Sequence, residues 1–555
     1  MKKYTIGVDY GSLSGRGVLV DTADGRIAAE AVMSYPHGAM NNCLPDGTPL
    51  PAEWVVQHPA DFRQVLHVVV PELLKQSGVS PEQVVGIGID FTSATVVALD
   101  EQLRPLCEQP EYASVPHAWP KMWKHHAAAA QAKRLTQVAK EQGRPYPERH
   151  GGSIPSESMI PKVVQTLQEA PEVYDKIACF MEAGDYLTSW LVGGPVRSLS
   201  MAAARALWLE DSGYPDNDFL CAVDPGLKDM PKQKLADRFP NCVSGYPGQK
   251  VGVICQEAAQ ELGIPAGIAV SAPQMDAYAA FPGIGIAEPG IMMLVMGTST
   301  AILMMGEKKN VEGITACVPD IVLPGHYGYG SGQSSVGDCF QWCIENCVPE
   351  AYAQEAKRLG ISLHQYLSQL AAPLKPGQTG LIALDWLNGN KSCLANSKLS
   401  GMILGLNMKT KPEHIYRALQ EATAFGCRVI VEAYEKSGVP VKEIVACGGI
   451  AAKNPVLVQM YTDILGKPLR VSRCTQGPAL GSAIYAAAAA GEQTGYEDIY
   501  AAIRGMSYDD SVLYIPNLEN QRAYEELYQW YVQLHDYFGR ENRQLMEYFS
   551  DKRHI

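Results

Sequence analysis

Two short turns, far apart in the chain, combine glycine with hydroxyl side chains. The first is Gly11-Ser12 and the second is Gly297-Thr298-Ser299. Glycine lets a bulky ligand approach the backbone, hydroxyls donate hydrogen bonds, and free N–H groups in such a turn form a concavity that binds anions. Each turn is therefore a candidate phosphate-binding site. Two unrelated hairpin turns are the alternative for either segment taken alone.

Asp9 is a carboxylate placed beside the first turn, at the end of the apolar segment Thr5–Val8. A carboxylate there would repel a bound phosphate unless a cation lay between them, and Mg²⁺ prefers oxygen ligands. Asp9 is thus a candidate magnesium ligand, through water. The alternative is a turn-forming Asp that caps its own backbone.

Asp276 is the candidate general base. It follows the short apolar segment Ile268–Pro273 and lies at the start of a predicted helix. The positive end of a helix favours the ionised form of such a carboxyl, and an ionised carboxylate in a cleft can accept a proton. A purely structural N-terminal cap is the alternative, because Asp is favoured at that position.

Polar residues after another buried segment, Val84–Ile89, are candidates to line a substrate pocket. They are Asp90, Thr92 and Ser93, and ligands of open α/β sheets collect at the carboxyl ends of strands. Arg205 could grip a hydroxyl-rich ligand or pair with a carboxylate. For the polar residues after Val84–Ile89, the alternative is a strand end that faces solvent. For Arg205, the alternative is a structural ion pair.

A third glycine motif, Gly448-Gly449, links the predicted strand Glu443–Cys447 to Asn454 and the predicted helix Pro455–Leu465. A strand, a Gly-Gly turn and a helix let a flat ring or a ribose lie against bare backbone. By itself this motif is weak evidence for a nucleotide site.

The elements that must position these residues are hairpins and buried strands. Apolar runs on both sides of each hydroxyl-bearing turn predict a β-hairpin at the N-terminus and another over Ile291–Met304. Two similar hairpins suggest two related halves that share one cleft. Helices are predicted over Asp61–Gln76, Lys121–Gln142 and 411–437, so the pattern favours the α/β class.

The bulk composition limits the function classes. A length of 555 residues suggests two or three domains, and the net charge of −13 makes nucleic acid an unlikely partner. The 14 cysteines are scattered without a C-x-x-C pair, which favours reduced thiols in a cytosol-like compartment. No signal-peptide h-region and no run of ~18 apolar residues is found, so we expect a cytoplasmic protein without a membrane span.

These motifs together resemble the FGGY family of carbohydrate kinases. Asp9 to Ser12, Asp276, Gly297-Thr298-Ser299, Gly448-Gly449 and Pro478–Ala483 match that family in order, and the match covers nearly the whole chain. Segments such as Trp123–His126 and Glu421–Gly426 are similar to the members that phosphorylate L-ribulose in arabinose catabolism.

The resemblance implies two RNase H-like domains of the actin and hexokinase type flanking a catalytic cleft. Residues 1–285 would bind the sugar and carry the first phosphate turn, and residues 286–555 would carry the second turn and the adenosine site. It implies transfer of the γ-phosphoryl group of ATP, with Mg²⁺, to a primary hydroxyl of a ketopentose, with L-ribulose as the first candidate. No nucleic acid or membrane partner is implied, and a homodimer is the candidate assembly.

The resemblance also assigns a role to each candidate residue. Asp276 would be the base and a sugar ligand, together with Ser93, Arg205 and Gln333. The phosphates would be bound by Gly11, Ser12, Gly297, Thr298 and Ser299. The adenosine would lie against Gly448, Gly449 and Asn454, and Asp9 would hold the metal.

Two positions depart from the L-ribulose-specific pattern. Those members usually read Lys-Ala-x-Trp where this chain has Arg205-Ala-Leu-Trp208, and Glu-Ala-Gly-Gln-Ser where it has Gly330–Ser334. A kinase of D-ribulose, a xylulose or a tetrulose is therefore an alternative. A non-catalytic nucleotide-dependent binding protein is a second alternative. A nicotinamide dehydrogenase is disfavoured because no G-x-G-x-x-G follows a strand.

Overall fold

The structure is a computed structural model that describes residues 2–308, 311–507 and 510–552. Strands and helices alternate through most of the chain. The strands are β1 (Tyr4–Tyr10), β2 (Ser14–Asp21), β3 (Ile27–Ser34), β4 (Ala39–Met40), β5 (Val56–Gln57), β6 (Val84–Phe91), β7 (Val96–Leu99), β8 (Cys179–Glu182), β9 (Val196–Ser198), β10 (Val243–Gly245), β11 (Lys250–Val253), β12 (Ala269–Ser271), β13 (Gln274–Met275), β14 (Ile291–Met296), β15 (Thr300–Gly306), β16 (Ala316–Pro319), β17 (Tyr327–Gln333), β18 (Ile382–Leu384), β19 (Met402–Leu404), β20 (Glu443–Cys447), β21 (Leu469–Val471) and β22 (Val512–Tyr514). The helices are α1 (Pro59–Ser77), α2 (Ala129–Glu141), α3 (Met159–Glu169), α4 (Pro171–Lys176), α5 (Ala183–Val192), α6 (Leu199–Arg205), α7 (Asn217–Val223), α8 (Met230–Lys234), α9 (Gln256–Leu262), α10 (Asp276–Gly283), α11 (Gly337–Cys347), α12 (Glu350–Leu359), α13 (Leu363–Ala371), α14 (Pro412–Lys436), α15 (Gly449–Lys453), α16 (Pro455–Leu465), α17 (Gly477–Ala489), α18 (Gly491–Thr494), α19 (Ile499–Met506), α20 (Leu518–Asp536) and α21 (Arg543–Asp551).

The chain forms two compact units, each built from several stretches of sequence. The first unit comprises Met1–Ala287, Val318–His326 and Gln476–Asp509, and the second comprises Glu288–Cys317, Tyr327–Thr475 and Asp510–Ile555. The first unit thus includes segments that follow position 286 in the chain. The functional division at 285/286 stays a prediction.

The sheet of the first unit is mixed. Its strand order is β11-β12-β6-β1-β2-β3, and β13 also pairs with β6. Strands β1, β2 and β3 are antiparallel neighbours, β6 runs parallel to β1, and β12 runs parallel to β6. Every residue of β1 and β6 is buried, because helices cover both faces of the central strands.

The sheet of the second unit repeats this arrangement. Its order is β16-β17-β15-β14-β20-β21-β22. Strands β17, β15 and β14 are antiparallel, β20 is parallel to β14, β21 is parallel to β20, and β22 is antiparallel to β21. Strands β3, β2, β1, β6, β12 and β11 run in the same sequence of directions. The predicted α/β class with two similar domains is confirmed.

Glycines in the central strands let a small-residue helix lie close to the first sheet. A Cβ at Gly7 would lie 1.8 Å from the carbonyl oxygen of Ala479, and one at Gly88 would lie 2.2 Å from that of Ser482. Both contacts are with α17, whose sequence is Gly-Pro-Ala-Leu-Gly-Ser-Ala-Ile-Tyr-Ala-Ala-Ala-Ala. The pairing of a glycine-bearing strand with an alanine-rich helix therefore fixes the distance between the two layers.

Most predicted elements are observed, with one clear error. Both hairpins form, as β1–β2 and β14–β15, and the predicted helices 61–76 and 411–437 correspond to α1 and α14. The predicted helix Lys121–Gln142 is wrong over its first part, because helix α2 begins only at Ala129. Lys121 instead forms β-bridges with Val56 and Val96, so tertiary pairing overrides the local helix propensity. None of the helices in the described ranges is long and apolar enough to span a bilayer.

Candidate functional site

The first hydroxyl-bearing turn joins β1 to β2. The Gly11 amide donates to the Ser14 carbonyl at 3.0 Å, which closes the turn. The Ser12 hydroxyl accepts a hydrogen bond from Trp123 Nε1 at 2.9 Å, and the Ser12 carbonyl accepts one from Gln57 Nε2 at 3.0 Å. These bonds fix the turn while leaving the hydroxyl hydrogen of Ser12 available to a ligand.

Asp9 and Asp90 form a carboxyl pair at the ends of β1 and β6, where the parallel register places them side by side. Arg16 Nε lies 3.4 Å from Asp9 Oδ2, and the Ser482 hydroxyl donates to Asp90 Oδ2 at 2.7 Å. Burial raises the pKa of Asp9, and burial together with the charge of Asp9 raises the pKa of Asp90 well above its usual range. We therefore assign the negative charge to Asp9, which faces Arg16, and a proton to Asp90.

The oxygen atoms of this pair fit a hard divalent cation. Asp9 is 6% exposed, and its carboxylate interacts with the carboxyl group of Asp90 and with Arg16. Carboxylate oxygens of this kind are the protein ligands that Mg²⁺ prefers. The assignment of a metal to Asp9 stays a prediction.

Asp276 begins α10, as predicted, but its pKa differs from the expected direction. Its Oδ1 accepts the Ala277 amide at 2.7 Å. Burial and the charge of Asp9 raise the pKa of Asp276 to about 7, although the Ala277 amide and the charge of Arg205 oppose the shift. The helix N-terminus therefore does not keep this carboxyl fully ionised near neutral pH. A pKa near the working pH suits a general base.

Ser93 and Arg205 are in direct contact. Ser93 lies in the turn between β6 and β7, Arg205 ends α6, and Arg205 Nε donates to Ser93 Oγ at 3.1 Å. Within the described ranges Arg205 forms no ion pair, so the structural alternative is not supported. The charge of Arg205 also acts on Asp276, which places both side chains in one electrostatic environment.

The second hydroxyl-bearing turn joins β14 to β15 and packs on the start of α11. The Gly297 carbonyl accepts the Gly337 amide at 3.1 Å, and the Thr298 carbonyl accepts the Val336 amide at 2.8 Å. The side chains of Thr298 and Ser299 are exposed. The backbone of the turn is thus fixed and its hydroxyls face outwards, as a phosphate site requires.

Gly449 and Asn454 lie on the wall of a cavity of about 770 Å³ in the second unit. Gly448 has φ 96°, and a Cβ there would lie 2.6 Å from the Met296 carbonyl oxygen, so this turn requires glycine. Around Gly449 a Cβ would meet nothing within 4 Å, which leaves bare backbone facing the cavity. Other lining residues, which sequence reasoning missed, include Phe340, Ser362, His364, Gln365, Ser368, Tyr416 and Ile450.

Gln333 lies at the end of β17, buried in the second unit. Its Nε2 donates to Asp385 Oδ2 at 2.9 Å and to the Thr423 carbonyl at 2.8 Å. The Tyr531 hydroxyl donates a hydrogen bond to the other carboxyl oxygen of Asp385, Oδ1, at 3.0 Å. The carboxamide oxygen of Gln333 is buried with no hydrogen-bond partner in the described part of the chain. Its sugar-binding role stays a prediction, and only this oxygen is available for it.

A further group with metal-ligand chemistry comprises His37, His58 and Asp61, whose ligand atoms lie within 4.8 Å of one another. Asp61 accepts hydrogen bonds from the ring and the amide of His37, at 2.8 and 3.1 Å. His58 Nδ1 accepts the Ala60 amide at 3.2 Å and so caps α1. These bonds use the ligand atoms within the protein, and we interpret the group as the structural start of α1.

The chain matches known proteins over almost its full length. Residues 4–283 match the N-terminal domain, and residues 292–490 the C-terminal domain, of the FGGY family of carbohydrate kinases. The chain is 46% identical to a ribulokinase from Bacillus licheniformis over 533 residues, which cover 96% of each protein. It is 42% identical to a ribulokinase from Mycolicibacterium smegmatis, over 97% of this chain and 95% of that protein.

Solved structures show the same fold at lower identity. A xylulose kinase from Rhodospirillum rubrum superposes with a TM-score of 0.78 at 22% identity, covering 97% of this chain and 99% of that one. Plasmodium falciparum glycerol kinase with ADP gives a TM-score of 0.72 at 17% identity, covering 96% and 98%. Both domain matches and the full-length relatives lead to one conclusion: the chain belongs to the FGGY family of carbohydrate kinases.

Proposed function

We propose that this carbohydrate kinase transfers the γ-phosphoryl group of ATP to a primary hydroxyl of a ketopentose, with L-ribulose as the preferred acceptor. The observation that carries the proposal is the 46% identity to a ribulokinase over 96% of both chains. The contact between Ser93 and Arg205 supports it, because the charge of Arg205 also acts on the Asp276 carboxyl, whose pKa is about 7.

In the proposed mechanism Asp276 accepts the proton of the attacking hydroxyl as the new bond to phosphorus forms. Arg205 and Ser93 donate hydrogen bonds to other hydroxyls of the sugar and so orient it. Most of the rate enhancement comes from positioning and charge stabilisation, since phosphoryl transfer needs little covalent chemistry from the protein.

The nucleotide is bound by backbone and hydroxyl groups. We assign phosphate contacts to Gly11, Ser12 and the Gly297-Thr298-Ser299 turn, and the adenosine to the cavity beside Gly449 and Asn454. Asp9 would hold Mg²⁺, which when bound neutralises charge on the phosphates. The lack of a disulfide among the described residues and the use of ATP support a cytoplasmic location, and a homodimer stays a prediction for light scattering to test.

A coupled ADP-release assay across L-ribulose, D-ribulose, xylulose and a tetrulose tests the acceptor. We expect the highest kcat/KM with a ribulose, because the full-length relatives are named ribulokinases, and with its L form because segments of the sequence resemble the members that phosphorylate L-ribulose. A higher kcat/KM with another ketose would reassign the substrate. ATP binding without sugar-stimulated ADP release from any ketose would favour the non-catalytic alternative.

The variant Asp276→Asn tests the base. We expect turnover to fall by about 10³-fold or more, because an amide cannot accept the proton, while ATP affinity by calorimetry stays within about twofold. Asp24→Asn is the matched control, since Asp24 is an exposed carboxylate that pairs with Arg26. Turnover by Asp276→Asn at the level of that control would refute the assignment.

A further inference from the structure

The turn that carries Ser93 is held from both sides by two buried charged side chains. The carbonyl of Ala94 accepts a hydrogen bond from Lys162 Nζ at 2.6 Å. On the other side, the Ala94 amide donates to Glu182 Oε2 at 2.8 Å. Both polar groups of one peptide residue are therefore bound by side chains of α3 and β8, distant elements of the first unit.

Ala94 needs such support because its backbone conformation is unfavourable. Its φ is 65°, in the left-handed region that a side chain with a Cβ rarely adopts. Conformations of this kind persist only where the surroundings determine them, and they concentrate at functional sites. The neighbouring Ser93 hydroxyl and the Arg205 that it contacts are the groups assigned to the sugar.

The ammonium group of Lys162 donates all its hydrogen bonds to backbone carbonyl groups. This group has three hydrogens, and it reaches three carbonyl oxygens, those of Ala94 at 2.6 Å, Lys121 at 3.2 Å and Met122 at 2.9 Å. The side chain is 1% exposed. Lys162 can therefore act on a ligand only through the segments that it joins, the Ser93-Ala94 turn and residues 121–122.

Stabilisation of the fold does not by itself explain why two charged side chains, Lys162 and Glu182, are buried beside the Ser93-Ala94 turn. Burial lowers the pKa of Lys162 to about 7 and raises the pKa of Glu182 to about 7, although the charge of each favours the ionised form of the other. Lys162 and Glu182 form no direct ion pair among the described residues, and even a direct buried pair is often no more stabilising than apolar side chains of similar volume. The pair does supply what apolar residues cannot, a donor and an acceptor that fix one peptide in one orientation.

We propose that Lys162 and Glu182 are positioning residues for sugar binding: together they clamp the Ser93-Ala94 turn, so that Ser93 and Arg205 present a fixed geometry to the acceptor. This inference rests on the proposed function for the identity of the acceptor. It assigns no contact between either clamp residue and the sugar.

The variants Lys162→Met and Lys121→Met form a matched pair. Lys121 is also buried, but its Nζ is bound by Gln165 at 3.2 Å and Thr166 at 2.8 Å and does not reach the turn. We expect Lys162→Met to raise KM for the ketopentose by about tenfold or more, with KM for ATP within about twofold. Lys121→Met should lose stability without the rise in KM. Equal KM values for the two variants would overturn the proposal.

Glu182 offers a test that does not depend on the folding of a lysine variant. Glu182→Gln keeps an oxygen that can accept the Ala94 amide, whereas Glu182→Leu removes it. We expect the KM for the ketopentose to be about tenfold higher in Glu182→Leu than in Glu182→Gln. The same KM in both variants would overturn the role of the Glu182 carboxyl oxygen as the hydrogen-bond acceptor for the Ala94 amide.

Hydrogen exchange tests the clamp independently of which sugar is the substrate. The Ala94 amide should exchange about tenfold faster in Lys162→Met than in wild type, and at the wild-type rate in Lys121→Met, without any sugar present. Unchanged exchange in Lys162→Met would overturn the clamp even if the enzyme phosphorylates ribulose. Faster exchange in Lys162→Met, together with a wild-type enzyme that phosphorylates no ketopentose, would instead retain the clamp and reject the proposed function.

Discussion

At the residue scale, Asp276 shows how neighbouring charges set the chemistry of one carboxyl. Burial and the charge of Asp9 raise its pKa, and Arg205 lowers it again, with a net value of about 7. The same Arg205 donates to Ser93, so the residue that lowers the pKa of the proposed base also belongs to the proposed sugar site. A substitution at Arg205 is therefore expected to alter both the acidity of Asp276 and the binding of the acceptor.

The pKa of Asp276 predicts the pH dependence of the reaction. Only the ionised carboxylate can accept the proton, so kcat/KM for the ketopentose should fall about tenfold for each pH unit below a pH of about 7. A pH–rate profile from pH 5.5 to 8.5 measures this, with Asp24→Asn as the control that should follow the wild-type profile. A flat profile over the acidic half of that range would contradict the assignment.

The sequence could predict the carboxyl groups of the site but not the residues that hold the turn beside it. Asp9 and Asp276 each follow an apolar run, and that position marks the carboxyl end of a strand or the start of a helix. Lys162 lies in α3, and a lysine in a helix is usually exposed. Its burial follows from packing between distant elements, which leaves no pattern in the local sequence.

At the element scale, the contact between β1 and α17 sets the thickness of the first unit. Gly7→Ala would place a methyl group 1.8 Å from the Ala479 carbonyl oxygen. Because the contact is with the backbone of a helix, neither side can move without displacing a whole element. We expect a loss of about 3 kcal/mol in the free energy of unfolding, measured by urea denaturation.

Gly194→Ala is the control for Gly7→Ala. A Cβ at Gly194 would meet nothing within 4 Å, and its φ lies outside the left-handed region. We expect its free energy of unfolding to stay within about 0.5 kcal/mol of wild type. If Gly7→Ala proved as stable as Gly194→Ala, the close approach of β1 and α17 would be wrong.

A buried ionic group ties α14 to α20 in the second unit. Arg417 Nε donates to Glu421 Oε1 at 2.9 Å, another nitrogen of Arg417 donates to the Tyr524 hydroxyl at 2.8 Å, and a third donates to the Ala371 carbonyl at 3.2 Å. The side chains of Arg417 and Glu421 are 6% and 4% exposed. The two opposite charges are thus bound by each other and by the neutral groups of Ala371 and Tyr524.

Arg417→Met should destabilise the protein by about 3–5 kcal/mol, because it leaves the Glu421 carboxylate buried without its partner. Chemical denaturation followed by circular dichroism measures this. Arg358→Ala is the control, since its pair with Glu355 is on the surface and screened by solvent. A midpoint for Arg417→Met equal to that of the control would show that the buried pair carries no stability.

Element types were predictable where the periodicity was strong. The hairpin β14–β15 and the helix α14 were both evident from apolar runs and from Pro412 in the first helical turn. Residues 121–128 were not, because their alanine and lysine content favours a helix while Lys121 pairs with β-strand residues. Long-range pairing of this kind is invisible to local propensity.

At the scale of the whole molecule, no disulfide links any of the cysteines within the part of the chain that the structure describes. The stability of the fold should therefore not depend on a disulfide, as the scattered spacing of the cysteines in the sequence predicts. The melting temperature should be the same, within about 1 °C, with and without dithiothreitol, measured by differential scanning fluorimetry. A marked fall on reduction would reveal a disulfide and contradict this assignment.

The placement of α17 has a consequence for how the protein is made. The Thr5 hydroxyl of β1 donates to the Ala483 carbonyl of α17, 478 positions later in the chain, at 2.9 Å. At ordinary translation rates the first strand therefore leaves the ribosome roughly 20 to 100 seconds before the helix that will cover it exists. The nascent chain must keep a bare, glycine-lined sheet face from aggregating for that whole interval, until Gly477–Ala489 is synthesised.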